Sequence, residues 1–282
     1  MRILITGAGG MLGHDVRSAV QAAGGEAVAL TRAELDIRDA AAVDAAVRAA
    51  RPDAVINCAA FTDVDGAEAR EAEAQAVNAD GAGNVAAAAA AAGAWTVHVS
   101  TDYVFDGRTE RPYVESDPVG PLGAYGRSKL AGERAVWRAA RERATIVRSS
   151  WLFGAHGRCF PRTIMRLAGE RERLDVVCDQ VGCPTYTGHL APALVSLAQA
   201  EVPGVLHVTG SGSCSWHELA VAVVQAAGID CEVRPIRTAD YPTPAQRPAY
   251  SVLASERGAP ALAHWREGLS AFMAALSREV SA

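Results

Sequence analysis

The 282-residue chain has six cysteines but no Cys-x-x-Cys pair, and no His/Cys group at zinc-finger spacing. That argues against a structural zinc site and a redox dithiol, and the cysteines read as reduced thiols. There is no basic block: 27 Lys and Arg stand against 32 Asp and Glu, a net charge of -5, so the electrostatic footprint of a nucleic-acid binder is missing. No apolar run is long enough to cross a bilayer. Met1-Arg2-Ile3-Leu4-Ile5 leads straight into a turn, with no cleavage-site pattern behind it. These absences predict a cytoplasmic protein that works on neither nucleic acid nor membrane. Internal repeats and a sharp linker are also missing. What is present is 50% hydrophobic, enough for one large or two modest domains with an ample core.

The first half alternates strand and helix patterns. Residues 2–6 read as a buried strand, followed at once by Thr6-Gly7-x-x-Gly10-x-x-Gly13 and then a helical pattern from His14. Strand, glycine turn and helix form the setting of a dinucleotide site. Glycine permits positive φ and close backbone approach, and a helix N-terminus offers free N–H groups to a pyrophosphate. A tight turn without ligand is the plainer reading of the same glycines.

Further strands read at 27–30, 53–57, 95–99 and 145–148. After the second come Thr31 and Arg32 with no acid, which tilts the coenzyme toward NADP(H), because an Arg there can receive a 2'-phosphate. A plain surface charge is the other reading of Arg32. Asp36 could accept from an adenine amino group while Ile37 packs on the ring, or Asp36 could simply favour a helix start. The fourth strand ends at Ser100-Thr101-Asp102, where ligands of such sheets collect, and either hydroxyl could bond a substrate carbonyl oxygen. Tyr103 and Phe105 read as packing. The alternation predicts an α/β fold, a doubly wound parallel sheet over 1–150. Residues 151–282 read as a smaller lobe, partly interleaved with the first, containing the proline-rich loop Tyr241 to Pro248.

Tyr125 and Lys129 stand four apart in Tyr-Gly-Arg-Ser-Lys, so a helix places them on one face. A free phenol has a pKa near ~10, and an adjacent ammonium favours the phenolate. A proton donor to a carbonyl oxygen requires such tuning. Taken alone, the pair also fits an ordinary solvated helix face.

In combination, the glycine turn, the Ser100-Thr101 strand end and the Tyr125/Lys129 pair resemble the extended short-chain dehydrogenase/reductases of Rossmann type. Further strings resemble one branch, the dTDP-4-dehydrorhamnose reductase family: Asn57 to Asp65, Ser100 to Gly107, Tyr125 to Glu133, Asp179-Gln180-x-Gly182-x-Pro184-Thr185, and Arg247-Pro248. The resemblance implies hydride transfer from NADPH or NADH to C4 of dTDP-4-dehydro-beta-L-rhamnose, giving dTDP-beta-L-rhamnose. In it Tyr125 donates the proton, Lys129 lowers its pKa and holds the nicotinamide ribose, and Thr101 bonds the reacting oxygen. By motif position, Gly7, Gly10, Met11 and Leu12 would meet the pyrophosphate, and Asp36 and Ile37 the adenine. Thr31 and Arg32 would flank the adenosine ribose, Ala60, Phe61 and Thr62 would line the middle of the cofactor, and Val99 would lie beside it. Asp102 and Trp151 would touch the sugar, and Arg247 the diphosphate. Some members are linked to Mg2+; no compact carboxylate cluster in the sequence would hold it, and it is retained only as an option, like a homodimer. Cys159 and Gly66 depart from the Asn and Lys that the family often carries there. Three rivals share the fold: another dTDP-4-keto-sugar reductase, a non-catalytic NADP-binding regulatory subunit like that of methionine adenosyltransferase, and a nucleotide-sugar epimerase.

Overall fold

The computed structural model describes residues 1–280; the last two residues assigned to the second lobe lie outside that range. The chain opens with β1 (Arg2–Thr6), α1 (Met11–Ala22), β2 (Glu26–Leu30), α2 (Ala40–Ala50), β3 (Ala54–Asn57) and α3 (Val64–Ala69). α4 (Glu71–Gln75), a π-helical stretch at Ala76–Gly81 and α5 (Ala82–Ala91) follow one another in helical backbone. Then come β4 (Trp95–Thr101), α6 (Ala124–Ala140), β5 (Ala144–Ser149), β6 (Leu152–Phe153), α7 (Phe160–Glu170), β7 (Arg173–Val177), β8 (Val181–Gly182) and β9 (Thr185–Tyr186). α8 (Thr187–Ala200), β10 (Gly204–His207), β11 (Cys214–Ser215), α9 (Trp216–Ala227), β12 (Glu232–Ile236) and α10 (Trp265–Val280) complete it. Among the described residues, no helix is long and apolar enough to cross a membrane.

Six strands form one parallel sheet in the order β10-β5-β4-β3-β1-β2. Side chains alternate across a strand, and both faces of this sheet are covered. Ile3, Ile5, Ile56 and Val97 pack with Val16 and Val20 of α1 and Leu190 and Leu194 of α8. Leu4 and Val55 turn to the other face, against Val43 and Val47 of α2 and Val85 of α5. Strands buried on both sides lose the polar alternation, which is why β1 reads as a continuous apolar run. β10 and α8 belong to the second half of the sequence, yet they extend the first sheet and cover it. The remainder of that half gathers around its own apolar cluster of α7, α9 and α10, with β7 and β12 paired in parallel.

α1 starts at Met11, three residues before the helical pattern predicted from His14. Gly13, which the sequence pattern assigns to the glycine turn, lies inside the first turn of the helix. A Cβ on Gly13 would collide with the carbonyl oxygen of Gly7, so the helix sits tightly on the turn.

Candidate active site

The carboxyl ends of β1, β3, β4 and β5 converge where the sequence-selected residues lie. Gly7 has φ +68°, and a Cβ there would stand 2.6 Å from the backbone nitrogen of Ala59. Gly7 is therefore needed by the packing of the chain itself. Gly10 caps α1 with extended backbone and no side-chain acceptor, so the first-turn amides of Met11, Leu12 and Gly13 are left to an external anion. Such a helix start could receive a pyrophosphate.

The end of β2 differs from expectation. No acid follows Thr31 directly, but Glu34 folds back, and one carboxylate oxygen accepts from both the Thr31 N–H and its hydroxyl, each at 2.8 Å. The intervening turn hides this acid from a reading of the strand end. Arg32 is exposed beside it. Asp36 is held by Arg38 through a bidentate ion pair, and that guanidinium pulls its carboxyl down to about 2. Ile37 is 4% exposed and packs in the apolar cluster beneath. Neither contact was visible in the sequence reading of these two residues.

Asn78, a polar residue within an alanine-rich helical segment, is a clamp. It is 1% exposed and sits in the π-helical stretch. Its amide oxygen accepts from Phe61 N at 2.8 Å, and its Nδ2 donates to Phe61 O at 3.1 Å and Ser128 Oγ at 2.9 Å. It thereby ties the Ala60-Phe61-Thr62 segment to α6. π-helical turns recur at functional sites for this reason: the register shift redirects a side chain.

Tyr125 and Lys129 occupy adjacent turns of α6. Lys129 is 2% exposed, and its Nζ donates to the Val99 carbonyl at 2.7 Å. Burial pushes its pKa down to about 8, against the nearby Glu133 charge. The expected lowering of Tyr125 by Lys129 is absent from the ligand-free chain. Burial pushes the phenol up to about 12, and the Thr101 hydroxyl is what pulls it back. The ammonium is engaged with a carbonyl, and desolvation of the phenol outweighs it.

Of the two hydroxyls at the end of β4, Ser100 is already committed. It donates to Glu133 Oε1 at 2.5 Å, within a buried pair in which Arg148 grips both oxygens of Glu133 at 2.9 and 2.8 Å. Thr101 remains on the Tyr125 side. Tyr103 meets Tyr125 edge-on, with centroids 5.9 Å apart, whereas Phe105 is fully buried and stacks on Tyr113. Arg247 is clasped by Asp65 at 3.0 and 2.8 Å and also bonds Thr243 Oγ1; it lies next to Tyr103. Trp151 follows β5 with φ +48°, a strained conformation for a bulky residue. Its ring stacks on Trp216 at 3.5 Å, nearly parallel, and lies where a Cβ on Gly182 would clash. Trp216, the first residue of α9, escaped the sequence reading because its partner is 65 positions earlier in the chain (216 − 151).

Among the described residues, His14, Asp15 and His156 form the group whose ligand atoms could share a metal ion. Two imidazoles with one carboxylate suit a transition metal better than magnesium, which prefers oxygen ligands. Mg2+ therefore finds no support in this arrangement.

The family model described as the RmlD substrate binding domain matches residues 1–278. A dTDP-4-dehydrorhamnose reductase of Mycobacterium tuberculosis is 46% identical over 99% of this chain and 95% of its own. A dTDP-4-keto-6-deoxy-D-glucose reductase of Streptomyces niveus is 41% identical over 95% of each chain. Among solved structures, a Clostridium acetobutylicum dTDP-4-dehydrorhamnose reductase superposes with a TM-score of 0.94 at 40% identity, covering 98% of this chain and 100% of that one. A Bacillus anthracis dTDP-4-dehydrorhamnose reductase in complex with NADP gives 0.94 at 37% identity, covering 97% and 99%.

Proposed function

The chain belongs to the RmlD substrate binding domain family, and from that premise we propose that it reduces the C4 ketone of dTDP-4-dehydro-beta-L-rhamnose to give dTDP-beta-L-rhamnose. The observation that carries the reading is the gathering of Thr101, Tyr125 and Lys129 at the carboxyl end of β4. The Thr101 hydroxyl faces the phenol, and the ammonium is buried one helical turn along. NAD(P)H supplies the hydride when bound.

The residues divide the remaining work. The open amides at the start of α1 hold the pyrophosphate, with Gly10, Met11 and Leu12 lining it. Asp36 and Ile37 border the adenine, Ala60, Phe61 and Thr62 the middle of the cofactor, and Val99 its inner side. Arg32 and Glu34 compete at the adenosine ribose: the cation favours a 2'-phosphate and the carboxylate a 2'-hydroxyl. Tyr125 gives its proton to the alkoxide formed at C4. A phenol with a pKa near 12 stays protonated at neutral pH, as a donor must. Lys129 exchanges its bond to Val99 for the ribose and the forming phenolate. Thr101 stabilises the oxygen that gains charge. Asp102 and Trp151 contact the sugar, and Arg247, held by Asp65, presents its charge toward the diphosphate.

A second reading shares all of this chemistry. The Streptomyces niveus relative named for a different 4-keto-sugar is about as similar as the rhamnose reductases, and the two readings part only at the sugar pocket. The deciding assay follows NAD(P)H oxidation with dTDP-4-dehydrorhamnose and, separately, dTDP-4-keto-6-deoxy-D-glucose, testing each coenzyme and identifying the product. Rapid oxidation with the first and dTDP-rhamnose as product is the expected result; turnover of the second alone moves the assignment to it. Tyr125→Phe should lower kcat/KM by about 10²–10⁴-fold and leave coenzyme binding nearly intact. A variant with near-normal turnover would remove Tyr125 as the proton donor.

A further inference from the structure

Asp102 is 2% exposed. Its Oδ1 accepts from Thr101 Oγ1 at 3.1 Å, while its Oδ2 has no hydrogen-bond partner. The titratable groups around it are the phenols of Tyr103 and Tyr125 and the thiol of Cys183, none of them cationic at neutral pH. Arg247 reaches Tyr103 but is engaged by Asp65, and the Lys129 ammonium is engaged by the Val99 carbonyl. A buried carboxylate with one unfilled oxygen and no counter-charge is costly. Burial accordingly pushes its pKa up to about 7, despite the Ser251 and Thr101 hydroxyls and the backbone N–H groups of Asp102 and Tyr103 that pull the other way.

A hydroxyl has one proton and two acceptor sites. Thr101 Oγ1 already accepts from Tyr103 N at 3.2 Å. If Asp102 is ionised, the only proton on Thr101 is drawn to Oδ1, and Thr101 offers the site a lone pair alone. If Asp102 is neutral, its own O–H fills the second acceptor position of Thr101, and the Thr101 proton is released toward Tyr125 and the substrate oxygen. We infer that Asp102 is a positioning residue that sets the direction of the Thr101 proton, donating to Thr101 as the neutral acid and withdrawing that proton from the site as the carboxylate. The inference rests on the reading of Thr101 as the hydroxyl that serves the reacting oxygen. No bond to carbon forms or breaks in this step; one hydrogen bond reverses.

The neutral form is the productive one, so kcat falls as pH rises through the Asp102 titration. The experiment is a pH profile of kcat and KM for the wild type, Asp102→Asn and Asp102→Leu, with NAD(P)H and the dTDP-4-keto-sugar. The wild-type kcat should drop about tenfold per pH unit beyond a midpoint near neutrality. Asp102→Asn donates an N–H at every pH, so its kcat should lose that limb. Asp102→Leu donates nothing, so its kcat should be depressed throughout. A wild-type limb that persists in Asp102→Asn belongs to another group, Lys129 first, and overturns the inference. So does a pair of variants that raise KM and leave the kcat profile untouched, which would make Asp102 a sugar contact only. The carbon-13 shift of the Asp102 carboxyl in the ligand-free protein reads the same titration without substrate. A midpoint below about pH 5 overturns the inference even if every sugar tried is turned over, and a neutral midpoint supports it even if none is.

Discussion

Replacing Glu133 by Leu would strand the Arg148 guanidinium. Both side chains are 5% exposed, and Arg148 makes its two short bonds to Glu133 alone. Breaking a buried pair from one side costs about 3–5 kcal/mol. Two contacts soften this: the face of Phe105, 5.1 Å from the guanidinium carbon, and His207 at 3.4 Å. A cation over a desolvated ring returns about 1–2 kcal/mol. The net expectation is a loss of about 1–4 kcal/mol, a substantial part of the roughly 5–15 kcal/mol that holds a typical domain. At about 2 °C per kcal/mol for a chain of this size, Tm falls by roughly 2–8 °C. Urea and thermal unfolding of the ligand-free protein, followed by circular dichroism, would measure it. The double variant Glu133→Leu/Arg148→Met removes the orphaned charge and should recover to within about 1 kcal/mol of wild type. A single variant that loses under about 1 kcal/mol, or a double variant worse than the single, would refute the claim that the pair is mutually dependent.

Lys129→Met should abolish most turnover and yet stabilise the ligand-free protein at neutral pH. The folded-state pKa of Lys129 is depressed to about 8 from 10.5, so keeping it charged costs on the order of 3 kcal/mol at pH 7. That cost shrinks as pH rises from 8 toward 10.5, and the advantage of Met should fade over the same window in denaturant titrations; a constant advantage would point to packing instead. Asn78→Ala leaves Phe61 N and O without their partner and frees Ser128. It should cost about 2–4 kcal/mol and weaken NAD(P)H binding by fluorescence titration; unchanged coenzyme affinity would show that the 60–62 segment is held by something else.

The features legible in the sequence were those whose cause is local. The strand, turn and helix of residues 2–22 follow from apolar content and glycine spacing, and the Tyr125/Lys129 pair from the pitch of a helix. The helix starts at Met11 rather than His14 because Gly13 belongs to the helix and not only to the turn, and its missing Cβ lets the helix press on Gly7. β12 was missed because Pro235 and alternating charge disguise a short strand in a two-stranded sheet, where Pro is tolerated. Glu34 escaped because a turn reverses it onto Thr31. The roles of Asn78, Trp216 and Glu133 depend on partners that only the folded backbone brings near. The Ser100 and Thr101 hydroxyls are neighbours with the same propensities; the resemblance singles out Thr101, and the buried carboxylate that claims Ser100 supplies the physical reason.

The placement of β10 at the edge of the sheet has a consequence for how the protein is made. Thr145 to Arg148 find their outer partner only when Gly204 to His207 have been synthesised, and the apolar face beneath α1 is closed by α8 from the same late segment. A nascent chain that has delivered β1 to β5 therefore emerges with an unpaired strand edge and an uncovered apolar face, the two features that invite association with other chains. A fragment ending near residue 150 would keep both features exposed until residues 187–207 are supplied.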